Sequence, residues 1–187
     1  MRRIINSIQW RLRTFFIKIY LRKKNVKFAA CPSFSGHWPE IKNEGTFIIG
    51  PNCSFNSFRL RQHFTVKKNG VLKIEKGARF NDGVNLCAAQ YIKIGHHARI
   101  GDMTYIYDTD FHQISPENPA KCEPVLIGNN TRICSKSMIL PGAVIGDHTV
   151  IAAGSVVTGK IPAKSLAAGV PAKVVKTLNI HDDWLRK

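Results

Sequence analysis

His112 is the residue whose type and setting best suit proton transfer. It closes the segment Asp108-Thr-Asp-Phe-His112, so carboxylates stand two and four positions ahead of one imidazole. A free imidazole titrates near 6.5, which lets it take up a proton at neutral pH and release it again. A base of this kind held against a substrate hydroxyl contributes about 10²–10⁴ in rate. Asp110 is placed to orient the ring or to contact an acceptor hydroxyl, and Asp108 has the same options from the preceding position. The other six histidines suit turns and unpatterned stretches, and none of them has a metal-ligand setting. The five cysteines, Cys31, Cys53, Cys87, Cys122 and Cys134, contain no Cys-x-x-Cys pair, so buried free thiols are expected and neither zinc nor disulfides.

The elements that must position His112 are visible as a repeat of six residues. An aliphatic or Phe opens each hexad and a small or β-branched residue takes the fifth place: Ile74, Phe80, Ile94, Ile100 and Ile106, then, after a break, Ile127, Ile133, Ile139, Ile145 and Ile151. A period of six fits no amphipathic helix. It fits a prism in which each hexad forms one short strand and one turn and three hexads close a coil. First-place aliphatics then stack at the roughly 4.8 Å spacing of neighbouring strands, and Gly, Asn and Asp accept the corner conformations. Residues 49–60 read as degenerate repeats, and irregular coils are expected from about residue 41. Residues 112–126 hold Pro116, Pro119 and Pro124, so they predict a loop leaving the prism.

The run Ile127 to Pro162, the tail Ala168-Gly-Val-Pro-Ala-Lys-Val-Val and Asp108-Thr-Asp-Phe-His112 resemble the hexapeptide-repeat acyltransferases, and within them the sugar and polysaccharide O-acetyltransferases. The resemblance spans roughly residues 70–176. It implies an all-β, left-handed parallel β-helix over residues 28–176, with an N-terminal helix and a C-terminal tail over 177–187. It further implies acetyl-CoA as donor, a homotrimer with each active site between two prisms, and direct transfer with His112 as base. Asn85, Asp108 and Arg132 are then acceptor candidates. Ser135, Ala153, Thr158, Lys173 and Lys176 are donor candidates, the two lysines beside CoA phosphates. Relatives often carry an aromatic where this chain has Arg132 and Gly where it has Cys134; an arginine there favours an anionic or highly hydroxylated acceptor. N-acetylation of an amino sugar, acylation of a small molecule and a non-catalytic β-helix scaffold remain open alternatives.

The charge is uneven. The 187 residues carry 28 Lys+Arg against 12 Asp+Glu. Nine of the basic residues fall in residues 1–27, ahead of the first acid, Glu40, so that segment carries +9 of the formal +16. Within it Ile4, Ile5, Ile8, Leu12, Phe15, Phe16 and Ile19 make one helical stripe, widened by Trp10, Ile17, Tyr20 and Leu21. Such a helix either lies in a membrane interface with its bases at anionic headgroups, or caps the prism or a neighbouring subunit. No stretch of roughly 18 uncharged apolar residues is present for a membrane span, and Arg11, Arg13 and Lys18 interrupt any signal-peptide core. A cytoplasmic protein is expected, held at the inner face of the cell membrane if the helix binds lipid. Nucleic acid is not an expected partner, because the helix aromatics sit on the apolar stripe and not among the bases as stacking platforms.

Overall fold

The computed structural model describes residues 2–113 and 115–186, with side chains from Arg11 onward. Short strands follow one another around three faces. Face 1 starts with Val26–Phe28, face 2 with Ser33–Gly36 and face 3 with Glu40–Asn43, and each later strand except the last pairs in parallel with the strand one coil before it. The result is a β-solenoid of about six coils, as the hexads imply.

Register follows the repeat. Ile74, Ile94, Ile127, Ile145 and Ile161 stack inside face 1, while Ile100, Ile133 and Ile151 stack inside face 2. All are buried, and each contributes about 1.5–3 kcal/mol of transfer free energy. The fifth places are buried as well, as Ala78, Ala98, Thr104, Thr131, Ser137, Thr149 and Ser155. Their hydroxyls are hydrogen-bonded: Ser137 donates to Cys134 O at 2.8 Å and Thr149 to Pro162 O at 2.9 Å, while Ser155 accepts from Gly169 N at 3.2 Å. The burial of polar groups therefore costs little.

Coiling begins at Val26 and not near residue 41. The first coils escaped the hexad pattern because phenylalanines fill them. Phe34, Phe55 and Phe80 occupy the face 2 column that isoleucines continue. Phe55 and Phe80 lie 5.0 Å apart and 8° from parallel, with Phe64 edge-on to both. Rings of this size widen the interior, and these coils are correspondingly longer: Ile49 to Ile74 is 25 residues, whereas Ile127 to Ile145 is 18.

The helix Arg2–Lys23 closes the open N-terminal end. Ile17 and Leu21 are 3% and 0% exposed, and Tyr20 stacks on Trp38 at 5.3 Å and donates to Pro39 O at 2.6 Å. The residues read as margins of the apolar stripe are thus the ones that pack. Leu12, Phe15 and Phe16, on the opposite side at about 100° per residue, stay 54–58% exposed. Ile4, Ile5, Ile8 and Trp10 fall outside the described side chains. No described helix is long and apolar enough to cross a membrane.

Two departures shape the rest. The chain leaves the prism after Tyr105–Tyr107 and returns at Val125–Ile127, a loop that starts and ends slightly before the expected 112–126. At the far end, Ala172–Thr177 does not extend the coil; it folds back antiparallel on Ser165–Gly169 and covers the last edge of face 2. An unpaired last strand would be a template for further pairing, and this hairpin removes it. Residues 178–186 are irregular and run back along the corner between faces 1 and 2.

Candidate active site

Asp108 is the foundation of the loop. It is fully buried, and its carboxylate accepts from the backbone N–H groups of Ala89 at 2.7 Å, Gln90 at 2.8 Å and Tyr91 at 2.7 Å. These three donors belong to the corner one coil earlier, so the side chain ties the departure point of the loop to the prism. The expectation that Asp108 contacts an acceptor is corrected by this geometry, since both oxygens are spent on the backbone.

The loop then rises as a hairpin. Asp110 N donates to Lys121 O at 2.9 Å, and Glu123 N to Asp108 O at 2.9 Å. Phe111 takes a left-handed conformation with φ 64°, which costs a bulky residue about 1–3 kcal/mol. Its ring is held edge-on to Tyr107 at 5.3 Å, and Tyr107 in turn meets Tyr105 at 5.8 Å. That turn leaves His112 exposed at the top of an aromatic wall. Asp110 is exposed too, and among the described residues no carboxylate is hydrogen-bonded to the imidazole. Burial, then the neighbouring Tyr105 and Cys87, push the Tyr107 phenol up to about 12, so it stays a neutral donor. Asn85 lies beside this wall, in cross-strand register with Tyr105 on the outside of face 3. The aromatic wall was not anticipated; exposed Tyr and Phe at one end of a hexad break are the signal that could have found it.

Arg132, Ser135 and Ala153 line a common groove of about 310 Å³ on face 2, together with Arg79, Arg99 and Gly101. Its floor is bare backbone: a Cβ at Gly101 would come within 2.6 Å of Ser135 N. Among the described residues no hydrogen bond engages the N–H of Ser135 or of Ala153, so two donors one coil apart are open to a ligand. Thr158 and Lys173 share a second groove of about 240 Å³ at the C-terminal end, and Lys176 is exposed on the returning strand. The His112 loop and the Ser135 groove flank face 3 on opposite edges, with the strands Tyr105–Tyr107 and Met138–Ile139 between them. One chain therefore does not bring all the expected site residues together.

Residues 124–159 match a family model described as bacterial transferase hexapeptide (six repeats). Over 151 residues the chain is 29% identical to an Escherichia coli (strain K12) protein named as a lipopolysaccharide biosynthesis O-acetyl transferase, covering 74% of this chain and 76% of that one. It is 44% identical to galactoside O-acetyltransferase of the same organism over 71 residues, only 38% of this chain and 35% of that enzyme. Among solved structures, a hexapeptide-repeat acetyltransferase of Vibrio cholerae O1 biovar eltor complexed with acetyl-CoA aligns with TM-score 0.56 and 25% identity, over 70% of this chain and 73% of that one. Six stacked coils, a matched repeat and relatives of this kind make the chain similar to the hexapeptide-repeat acyltransferases. It is an enzyme of acyl transfer; among the described residues no trio of His, Cys, Asp or Glu converges.

Proposed function

We propose that the protein transfers the acetyl group of acetyl-CoA to a hydroxyl of a cell-surface saccharide or its lipid-linked precursor. The observation that carries this reading is the pairing of an exposed imidazole on an anchored loop with a backbone-floored groove that offers two free N–H donors. The two relatives named as O-acetyltransferases support oxygen over nitrogen as the acceptor atom, and the acetyl-CoA complex of the Vibrio protein supports the donor.

In this reading the pantetheine arm lies over Ala153 and the thioester carbonyl accepts from Ser135 N–H, a donor aimed where negative charge develops. His112 takes the acceptor proton as the hydroxyl oxygen attacks the carbonyl carbon. The carbon–sulfur bond breaks, and the proton passes to the departing thiolate. Asn85 and the aromatic wall hold the sugar, and Lys173 and Lys176 meet CoA phosphates. The gap across face 3 is closed by a homotrimer, in which His112 of one chain faces the groove of the next. A monomer by light scattering contradicts this arrangement. The direct test is release of CoA thiol on incubation with acetyl-CoA and a panel of hydroxyl- and amine-bearing saccharides. Acceptor-dependent release supports the reading, and its absence across the panel contradicts it.

Cys134 sits in the same groove and is half-buried. Among the described residues no hydrogen bond engages its thiol; its carbonyl receives the hydroxyls of Thr104 and Ser137, and its N–H donates to Ile151 O. A nucleophilic thiol needs an activating partner. Cys134→Ala is expected to keep acetyl transfer within about threefold, well short of the 10²-fold or greater loss expected when a covalent nucleophile is removed. No acyl-enzyme should appear in intact-protein mass spectra.

The exposed Leu12, Phe15 and Phe16, flanked by Arg11, Arg13, Lys18 and Arg22, support peripheral attachment of the helix to an anionic membrane, the opposite side being occupied by the prism. Full-length protein should float with vesicles containing anionic lipid and not with neutral ones. A Leu12→Ser/Phe15→Ser/Phe16→Ser variant, which leaves Ile17 and Leu21 in place, should stay at the bottom. Equal flotation of the variant contradicts membrane attachment.

A further inference from the structure

Face 2 carries an unusual column on its outside. Parallel pairing sets Arg79, Arg99 and Arg132 directly opposite one another on consecutive coils, about 4.8 Å apart. Like charges in this relation destabilise a sheet, and among the described residues none of the three has a carboxylate partner. They line the groove that also holds Ser135 and Ala153.

The C-terminal tail adds a fourth. Arg186 N donates to Asn130 Oδ1 at 2.9 Å, Asn130 Nδ2 donates to Trp184 O at 2.7 Å, and Arg99 donates to Arg186 O. The Arg186 guanidinium lies 4.8 Å from the centre of the Trp184 ring and donates to His148 O at 3.3 Å, while its Nε is buried with no acceptor among the described residues. Burial first, then the charges of Arg79, Arg132 and Arg186, hold the Arg99 guanidinium below its ordinary value. The tail is therefore pinned so as to bring one more positive group to a place already overfilled with them. Folding gains nothing from that repulsion; a bound polyanion would.

We propose that Arg79, Arg99, Arg132 and Arg186 form an anion subsite that binds the carboxylates of an acidic saccharide chain laid across the coils of face 2, with its reacting sugar at the Ser135 end. This rests on the saccharide acetyl-transfer reading and deepens it to an acidic acceptor. A planar guanidinium fork pairs with a carboxylate through two parallel hydrogen bonds, and the coil spacing presents one fork per step of an extended polymer. Asn56 and Asn81 in the same groove supply amides for the sugar hydroxyls.

The test is calorimetric titration of the full chain at low salt with oligogalacturonate, with the same oligomer methyl-esterified on its carboxylates, and separately with acetyl-CoA. The acid should bind at least about tenfold more tightly than the ester, the ratio that one charge-assisted contact supplies, and rising salt should erode the difference. Arg99→Gln/Arg132→Gln should abolish the preference; Arg186→Gln, which leaves the strands untouched, should reduce it severalfold. Equal binding of acid and ester, including none, overturns the subsite, as does a preference that survives in the double variant. Weakened acetyl-CoA binding in the double variant, when the wild type shows no acid preference, assigns the arginines to donor phosphates and also overturns it. If the wild type takes the acid and not acetyl-CoA, the transfer reading falls while the subsite stands.

Discussion

His112→Ala should lower kcat for acetyl transfer by about 10²–10⁴ and leave acetyl-CoA affinity unchanged. The imidazole takes the acceptor proton, whereas the candidate donor contacts are the backbone of the Ser135 groove and the two lysines, so removing the ring deletes proton abstraction and spares the donor. Fold and melting temperature should not move, because the side chain is exposed. His112→Gln, which keeps a polar group but cannot accept the proton, should be as slow as the alanine variant. Near-normal turnover in either one would remove His112 from the mechanism.

Asp108→Ala should have the largest effect on stability of any polar substitution near the site. Three partly buried N–H groups lose a charged acceptor at once, and each such bond is worth about 1.5–3 kcal/mol. Allowing for non-additivity, a loss of about 3–5 kcal/mol is expected, or roughly 6–20 °C in melting temperature for a chain of this length. Because the same carboxylate anchors the loop, the folded fraction should also transfer acetyl more slowly. Asp110→Ala is the control: exposed and without a side-chain partner, it should shift stability by no more than about 0.5 kcal/mol. Equal melting of the Asp108→Ala variant and the wild type would show that the corner does not need the carboxylate.

The contrast between these two aspartates marks how far the sequence could be read. Both stand in Asp108-Thr-Asp-Phe-His112, and nothing in the segment tells which one faces the interior. The partners of Asp108 lie 17 to 19 residues upstream and come beside it only when coil stacks on coil. The hexads themselves were legible because isoleucine recurs at a fixed interval from residue 94 to 106 and again from 127 to 151. The coils before residue 74 were not, because Phe34, Phe55 and Phe64 fill the same columns at other intervals. Arg79, Arg99 and Arg132 are 20 and 33 residues apart, the second interval stretched by the loop, so their alignment is a property of the fold alone. The helix shows a subtler limit. Its wheel identifies one broad apolar stripe without saying which part of it the prism takes, and the part that packs is the margin with Ile17 and Leu21, which join the core.

These features converge on one reaction, and the product identifies it most directly. Purified protein is incubated with acetyl-CoA labelled in its acetyl carbons and with the saccharide that gives the strongest CoA release, and the saccharide is then analysed by mass spectrometry before and after mild base. The account predicts one labelled acetyl group on the sugar, removed by base as an ester must be, and absent when His112→Ala replaces the wild type. A label that survives base, as an amide would, or an unlabelled saccharide beside consumed acetyl-CoA, contradicts it.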